Sequence, residues 1–330
     1  MTLANATPFA ALAAPHSAPD GRDVVLVVVK ATFRRDRHGH LALADEQAPV
    51  LAGDVAHFPD AEESSIRYPG DLCVAKRGTD VVIVGEAVCR RPVEVFDVAA
   101  KVRDRTVTLR VHGERVYYRG ALGVAIGPAA TFERKAIVWE RAYGGMSPDK
   151  SAVERRNPIG RGFGRTAAEL VGTPAPQIED PAHPITSASD RPDPAGFGAL
   201  GAHWSPRAEL AGTFDEVWRR TRMPRMPADF DPRHNNVAPP ALWFDTPLGP
   251  GDPIALLGMT PDGLWRIEIP KMAVSLHGRY HDGRVVPVRP TIDTVLVEPL
   301  EETLHVTLRH AFPMGRGMTG LREIRVDDDG

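Results

Sequence analysis

The 330-residue sequence holds only two cysteines, Cys73 and Cys89. That is too few for a disulfide framework, and too few for a closed zinc site unless several histidines join them. They fall in two neighbouring candidate strands, "DLCVAK" and "VVIVGEAVCR", so a cross-strand bridge is geometrically open. Two buried, reduced thiols in a reducing compartment are the expectation. Long apolar runs are missing too, since none approaches the roughly 20 residues of a membrane span. Residues 1–22 have no basic region ahead of a weakly apolar run that stops at Pro15, so they are expected as a flexible leader and not a signal peptide. An excess of one charge is also lacking. With 40 basic and 43 acidic residues mixed along the chain, a formal charge of -3 supplies no field that would hold a polyanion. These absences point away from nucleic acid and from membrane insertion, and toward a cytoplasmic protein.

Amphipathic helices of ten or more residues are scarce, which argues against the parallel sheet of an α/β fold. What is present is period-two or continuously β-branched sequence: residues 24–33, 80–88, 93–102, 106–111 and 115–118, then 253–259, 264–270, 272–280, 284–290, 291–299 and 303–312. Turn signals separate these runs, and Asp262-Gly263 and Asp282-Gly283 read as hairpin turns because glycine reaches positive φ without steric cost. The expected fold class is mainly β: antiparallel, sandwich-like sheets with a long Gly/Pro-rich irregular middle and a few short helices. One β-rich domain over 23–320 is expected, made of an N-terminal β region 23–142, an irregular middle 143–252 and a C-terminal β region 253–320. A frayed acidic tail, 321–330, follows. The 30 glycines and 31 prolines together make about 18% of the chain, below the roughly 25–30% of low-complexity sequence, so the middle is expected to fold. A middle this long and irregular suits a surface laid over the sheets for binding. Its helix candidates are 166–172 and 213–222. In the second, Thr213 is a candidate cap, Glu216 its capping-box partner, and Phe214, Val217 and Trp218 a buried stripe.

The densest motif is "WERAYGGMSPDKSAVERRNPIGRGF", residues 139–163. Its "GRGFGR" segment, 160–165, offers unhindered N–H groups beside two guanidinium groups, a combination that can nest a phosphate or carboxylate. It lacks the Lys-Ser/Thr ending of a P-loop and follows no strand of a βαβ unit. The plainer reading is a rigid loop. Gly144, Gly145, Gly160 and Gly162 occupy positive-φ positions, while Pro158 fixes its own φ and restricts Asn157. No Gly-x-Ser-x-Gly elbow and no His-Glu-x-x-His helix is found. His277 and His281 are four apart but in strand-like sequence, where they need not converge. Asp229, Asp231, His234 and Asn235 in "DFDPRHNN" can assemble a polar pocket or be ordinary turn chemistry. Five tryptophans, Trp139, Trp204, Trp218, Trp243 and Trp265, lie in or beside the middle, and a mixture of core and surface roles is expected of them.

The ordered set "VVVKATF", "GDLCVAKRGTDVVIVGEA", "VHGERVYY", "WERAYGGM…RRNPIGRGF", "GTFDEVWRRTRMPRMPADFD", "GDPIALLGMTPDGLWRIEIP" and "TIDTVLVEP" closely resembles the domain-of-unknown-function family 2169 over residues 24–312. The "ERAYGG" and "NPIGRGF" pair is its most specific marker. Members of that family accompany bacterial type VI secretion systems. The resemblance therefore implies an adaptor or chaperone that binds a protein effector, a spike-tip protein, or both, and helps load the effector onto the spike. It implies no catalytic residue, no cofactor and no metal. The residues expected to contact the partner are Glu140, Arg141, Tyr143, Gly144, Gly145, Asn157, Pro158, Gly160, Arg161, Gly162 and Phe163. Two alternatives stay open: an enzyme or glycan-binding protein using the Asp229/His234 pocket, and a structural accessory component of the secretion apparatus.

Overall fold

In the computed structural model the described residues are 1–60, 63–121, 123–315 and 320–329. They are 42% strand and 7% helical, in several mostly antiparallel sheets, so the fold is mainly β as the alternation predicts. The central element is the strand Asp23–Arg35, whose ten residues from Val24 to Phe33 are all buried. Both faces of this strand are covered, which is why its sequence is a valine-rich apolar run, broken only by Lys30 and Thr32, with no alternation. Thr303–Pro313 pairs antiparallel on one side and Ala10–Ser17 on the other. Beyond Thr303–Pro313 the same sheet continues through Ile292–Glu298, Thr79–Ile83 and Trp243–Phe244, while Leu41–Leu43 adds to the far end of the central strand.

A second sheet of five strands is ordered Ile178–Glu179, Arg105–His112, Val95–Val102, Pro253–Leu257 and Leu264–Glu268. Here the alternation is clean. Leu264–Glu268 buries Trp265 and Ile267 and exposes its other three side chains. A third sheet of four strands, Thr2–Asn5, Leu321–Asp328, Val274–Tyr280 and Val285–Val288, holds both ends of the chain. The hairpins after Leu257 and Tyr280 turn at Gly263 (φ 85°) and Gly283 (φ 87°), as their Asp-Gly pairs predict.

The sheets share one core, to which Val27, Leu109, Leu276 and Val306 contribute, and the middle of the chain feeds it through Phe197, Trp204, Leu242 and Phe244. The irregular middle therefore wraps the sheets and helps seal them. Cutting through the core is an ionic chain. Lys30 meets Asp71 at 3.0 Å, Lys76 meets Asp80 at 2.7 Å, and Arg309 pairs with Asp293 and donates to the Cys73 sulfur.

Several expectations are corrected. The leader is not loose, because residues 2–5 and 10–17 are strands. Nor is the acidic tail frayed through residue 328, since Leu321–Asp328 lies between Thr2–Asn5 and Val274–Tyr280 and buries Leu321, Ile324 and Val326; Gly330 lies outside the described residues. "DLCVAK" is loop, with Cys73 half-buried rather than buried, and Cys89 is likewise a half-buried, unpaired thiol.

Candidate binding surfaces

The two halves of the Gly-rich motif meet. After the 3-10 turn Trp139–Arg141, the short strand Tyr143–Gly144 pairs parallel with Arg161–Gly162. Asn157, fully buried, is the pin between them. Its Nδ2 donates to the carbonyls of Trp139 (2.8 Å) and Tyr143 (3.0 Å), and its own carbonyl accepts from Gly145 N–H at 2.8 Å. The glycines are required by contact as well as by φ. A Cβ on Gly144 (φ 146°) would sit 2.2 Å from the Asn157 carbonyl oxygen. Gly160, for which a positive φ was expected, has none, but a Cβ there would fall 2.4 Å from Asn157 Nδ2.

The charged side chains of the motif are turned to the chain's own groups. Glu140 accepts from the Ser65 N–H (2.7 Å) and hydroxyl (2.8 Å), Arg141 donates to the Ala136 carbonyl at 3.0 Å, and Arg161 Nε donates to the Glu140 carbonyl at 2.8 Å. The possible anion nest is filled from within. Arg161 and Phe163 N–H groups donate to Ala142 and Gly144 carbonyls, and the Arg165 guanidinium holds Asp149 at 2.7 Å. Tyr143 is buried, its hydroxyl has no hydrogen-bond partner among the described residues, and burial pushes its pKa up to about 12. The structure thus brings all the expected partner-contact residues to one place. It buries Tyr143, Gly144, Gly145, Asn157 and Gly162 and leaves Glu140, Arg141, Pro158, Gly160, Arg161 and Phe163 half-buried, so the node presents little free side-chain surface.

The other polar candidates disperse. Asp229 accepts from the Thr213 N–H and hydroxyl, and Asp231 caps the 3-10 turn Pro232–Asn235 and pairs with Arg233. His234 Nδ1 faces the Arg207 carbonyl at 2.8 Å, and Asn235 Nδ2 donates to the Ala75 carbonyl. His277 lies on Val274–Tyr280 opposite Arg325, whereas His281 follows in the turn. Of the tryptophans, Trp139, Trp204 and Trp265 are buried and Trp218 and Trp243 half-buried.

A different surface is the one that projects. The helix Glu216–Thr221 has no buried residue. Asp215, not Thr213, caps it by accepting from Trp218 N–H at 2.7 Å, and Glu216 pairs with Arg219 and Arg220 instead of closing a capping box. The stripe expected to be buried is open, with Phe214 55% and Val217 67% exposed, and Met223 and Met226 follow at 61% and 41%. The segment braces itself. Phe214 sits edge-on to Trp218 with centroids 4.8 Å apart, Trp218 Nε1 donates to the Arg225 carbonyl at 2.9 Å, and Arg222 Nε donates to the Met226 carbonyl at 3.0 Å. Its base is tied down by the Thr213–Asp229 bonds and by buried Pro227. Shape is therefore imposed on a segment whose apolar groups face water. The available signal was compositional: "RTRMPRMP" mixes methionine and arginine, residue types concentrated at protein interfaces.

Residues 20–309 fit the model of a family described as "Uncharacterized protein conserved in bacteria (DUF2169)". No curated protein and no solved structure matches the chain.

Proposed function

Taking as premise that the chain belongs to this family of uncharacterized bacterial proteins, we propose that it is an adaptor that holds another protein through the projecting segment 213–229. The client is a type VI secretion effector, which the adaptor stabilises and passes to the spike complex. The observation that carries this reading is the exposure of Phe214, Val217, Met223 and Met226 on a segment already fixed by its own hydrogen bonds. A preorganised apolar surface loses little conformational entropy on binding, and each square ångström it removes from water contributes roughly 25 cal/mol. Arg219 and Arg220 pair with Glu216, whereas Arg222 and Arg225 carry no ion pair among the described residues and favour a client with an acidic rim. Binding only the folded client would stabilise it by about 2.7 kcal/mol at a hundredfold excess over Kd. In this reading the "ERAYGG…NPIGRGF" node is the scaffold and not the contact.

The test is co-purification with a co-expressed effector candidate. Val217→Asp and Met223→Asp, both on exposed side chains, are expected to release the client while circular dichroism stays that of the parent protein. Retention of the client by both folded variants would refute the assignment.

A further inference from the structure

The second sheet has an open edge set inside a groove. The hairpin of Val95–Val102 and Arg105–His112 turns through two residues, with Val102 opposite Arg105, Ala100 opposite Val107 and Val98 opposite Leu109. In a two-residue hairpin the residues flanking the turn exchange both backbone bonds, and every second pair repeats that exchange. The intervening residues, Thr106, Thr108, Arg110 and His112, therefore aim their N–H and C=O groups away from Val95–Val102. At the far end these groups are used, since His112 N–H donates to the Gln177 carbonyl at 2.7 Å and Arg110 pairs with Glu179. The strand Ile178–Glu179 then stops. Thr106 and Thr108 face no partner strand among the described residues.

Where that partner would continue lies a cavity of about 570 Å³, lined by Thr106 to Leu109 along the edge, Trp139 and the proline-bearing stretches at 194–196, 205–206 and 239–241. One end is bounded by Ile178–Glu179. The other is bounded by Arg105, whose guanidinium donates to the carbonyls of Ala241 (3.1 Å) and Trp243 (2.7 Å). An edge flush with the surface would accept the sheet of a second copy, whereas an edge recessed between walls admits one thin, extended chain. The charged side chains at the groove are Arg156, Asp180 and Asp193, with Arg105 at its end. Arg156 is shared between Glu154 and Asp193, and Asp180 meets His183 Nδ1 at 3.0 Å, so Glu154, Asp180 and Asp193 outnumber Arg156 and Arg105 and the balance facing an occupant is acidic.

We propose that this groove receives an extended peptide segment of a partner protein, added as a strand beside Arg105–His112, with a lysine or arginine directed to Asp180 and Asp193. The site is separate from the projecting segment and does not depend on the adaptor reading. The four residues from Thr106 to Leu109 span about 13 Å, so a peptide core of four residues fills it.

The probe is an array of ten-residue peptides alternating valine or threonine with serine, each carrying one lysine walked along its length, with matched peptides carrying aspartate instead. The full chain is expected to bind lysine peptides about threefold more tightly than their aspartate counterparts. Amide exchange at Thr106 and Thr108 should slow at least tenfold when the best peptide is bound. Thr108→Pro removes an outward N–H without touching the ladder to Val95–Val102, and should weaken binding about tenfold. Val217→Asp should bind the peptide as the parent does, even where it releases the client. The inference is overturned if no peptide binds, if exchange at Thr106 and Thr108 is unchanged by a bound peptide, or if those amides are instead protected by self-association of the chain. Because exchange is read on the unmodified protein, a Thr108→Pro variant that failed to fold would not rescue the idea.

Discussion

Replacing Asn157 by alanine separates a scaffold from a recognition surface. The change removes two hydrogen bonds, of 2.8 and 3.0 Å, to the carbonyls of Trp139 and Tyr143 inside a site with no solvent exposure. A buried polar group left without its partner costs about 1–3 kcal/mol. Two offsets hold the sum down. The Trp139 carbonyl keeps the Ala142 N–H at 3.1 Å, and Asn157 Oδ1, which has no partner among the described residues, is removed along with the amide. The expected loss is about 2–4 kcal/mol, read as a lower urea midpoint. With an unfolding entropy of about 2.1 cal/mol/K per residue, that loss lowers Tm by about 3–6 °C in a chain of 330 residues. Val217→Asp, on a side chain 67% exposed, should by contrast move stability by less than about 0.5 kcal/mol while releasing the client. The reasoning fails if Asn157→Ala unfolds like the parent and yet loses the client, because the node would then be the contact and not the frame.

Tyr143→Phe should leave the urea midpoint unchanged or slightly raised, since its buried hydroxyl bonds to nothing described; a loss above about 1 kcal/mol would reveal a hidden partner. Arg309→Met strands buried Asp293 and should cost about 3–5 kcal/mol, most of it recovered in Arg309→Met/Asp293→Leu; equal instability of single and double variants in urea would contradict the pairing. Burial alone would raise the carboxyl pKa values of Glu179 and Glu298, but His112, with the Ile185 N–H, holds the first and His305 and Tyr68 hold the second below the ordinary 4.5. A carboxyl whose folded pKa lies below its unfolded one stabilises fully above that unfolded value and loses its contribution as pH falls beneath it. Urea midpoints should therefore drop below about pH 4.5, and less steeply in Glu298→Gln; parallel curves would refute the assignment.

The long strands were legible because their burial leaves a local mark. Asp23–Arg35, buried on both faces from Val24 to Phe33, reads as a valine-rich run without alternation, while Leu264–Glu268 is covered on one face and alternates. The terminal strands were not. Ala10–Ser17 is built of weak strand formers and carries Pro15, which is tolerated because this strand lies at the edge of its sheet. In Leu321–Asp328 the buried positions 321, 324 and 326 break the period of two, and its pairing with Val274–Tyr280 shifts register at Arg279/Tyr280. The Gly-rich node was legible as a rigid loop, since proline and positive-φ glycines act locally. That its side chains are consumed by Ser65, Ala136 and Trp139 was not, because those contacts cross up to 75 positions of sequence. Phe214 and Val217 mark a shared apolar face, but periodicity says nothing about whether anything lies on top of it.

The placement of Leu321–Asp328 between Thr2–Asn5 and Val274–Tyr280 makes two segments far apart in sequence mutually dependent. Proteolytic cleavage ahead of Leu321 would withdraw the stave that Thr2–Asn5 leans on, so damage to one segment should surface as fraying of the other.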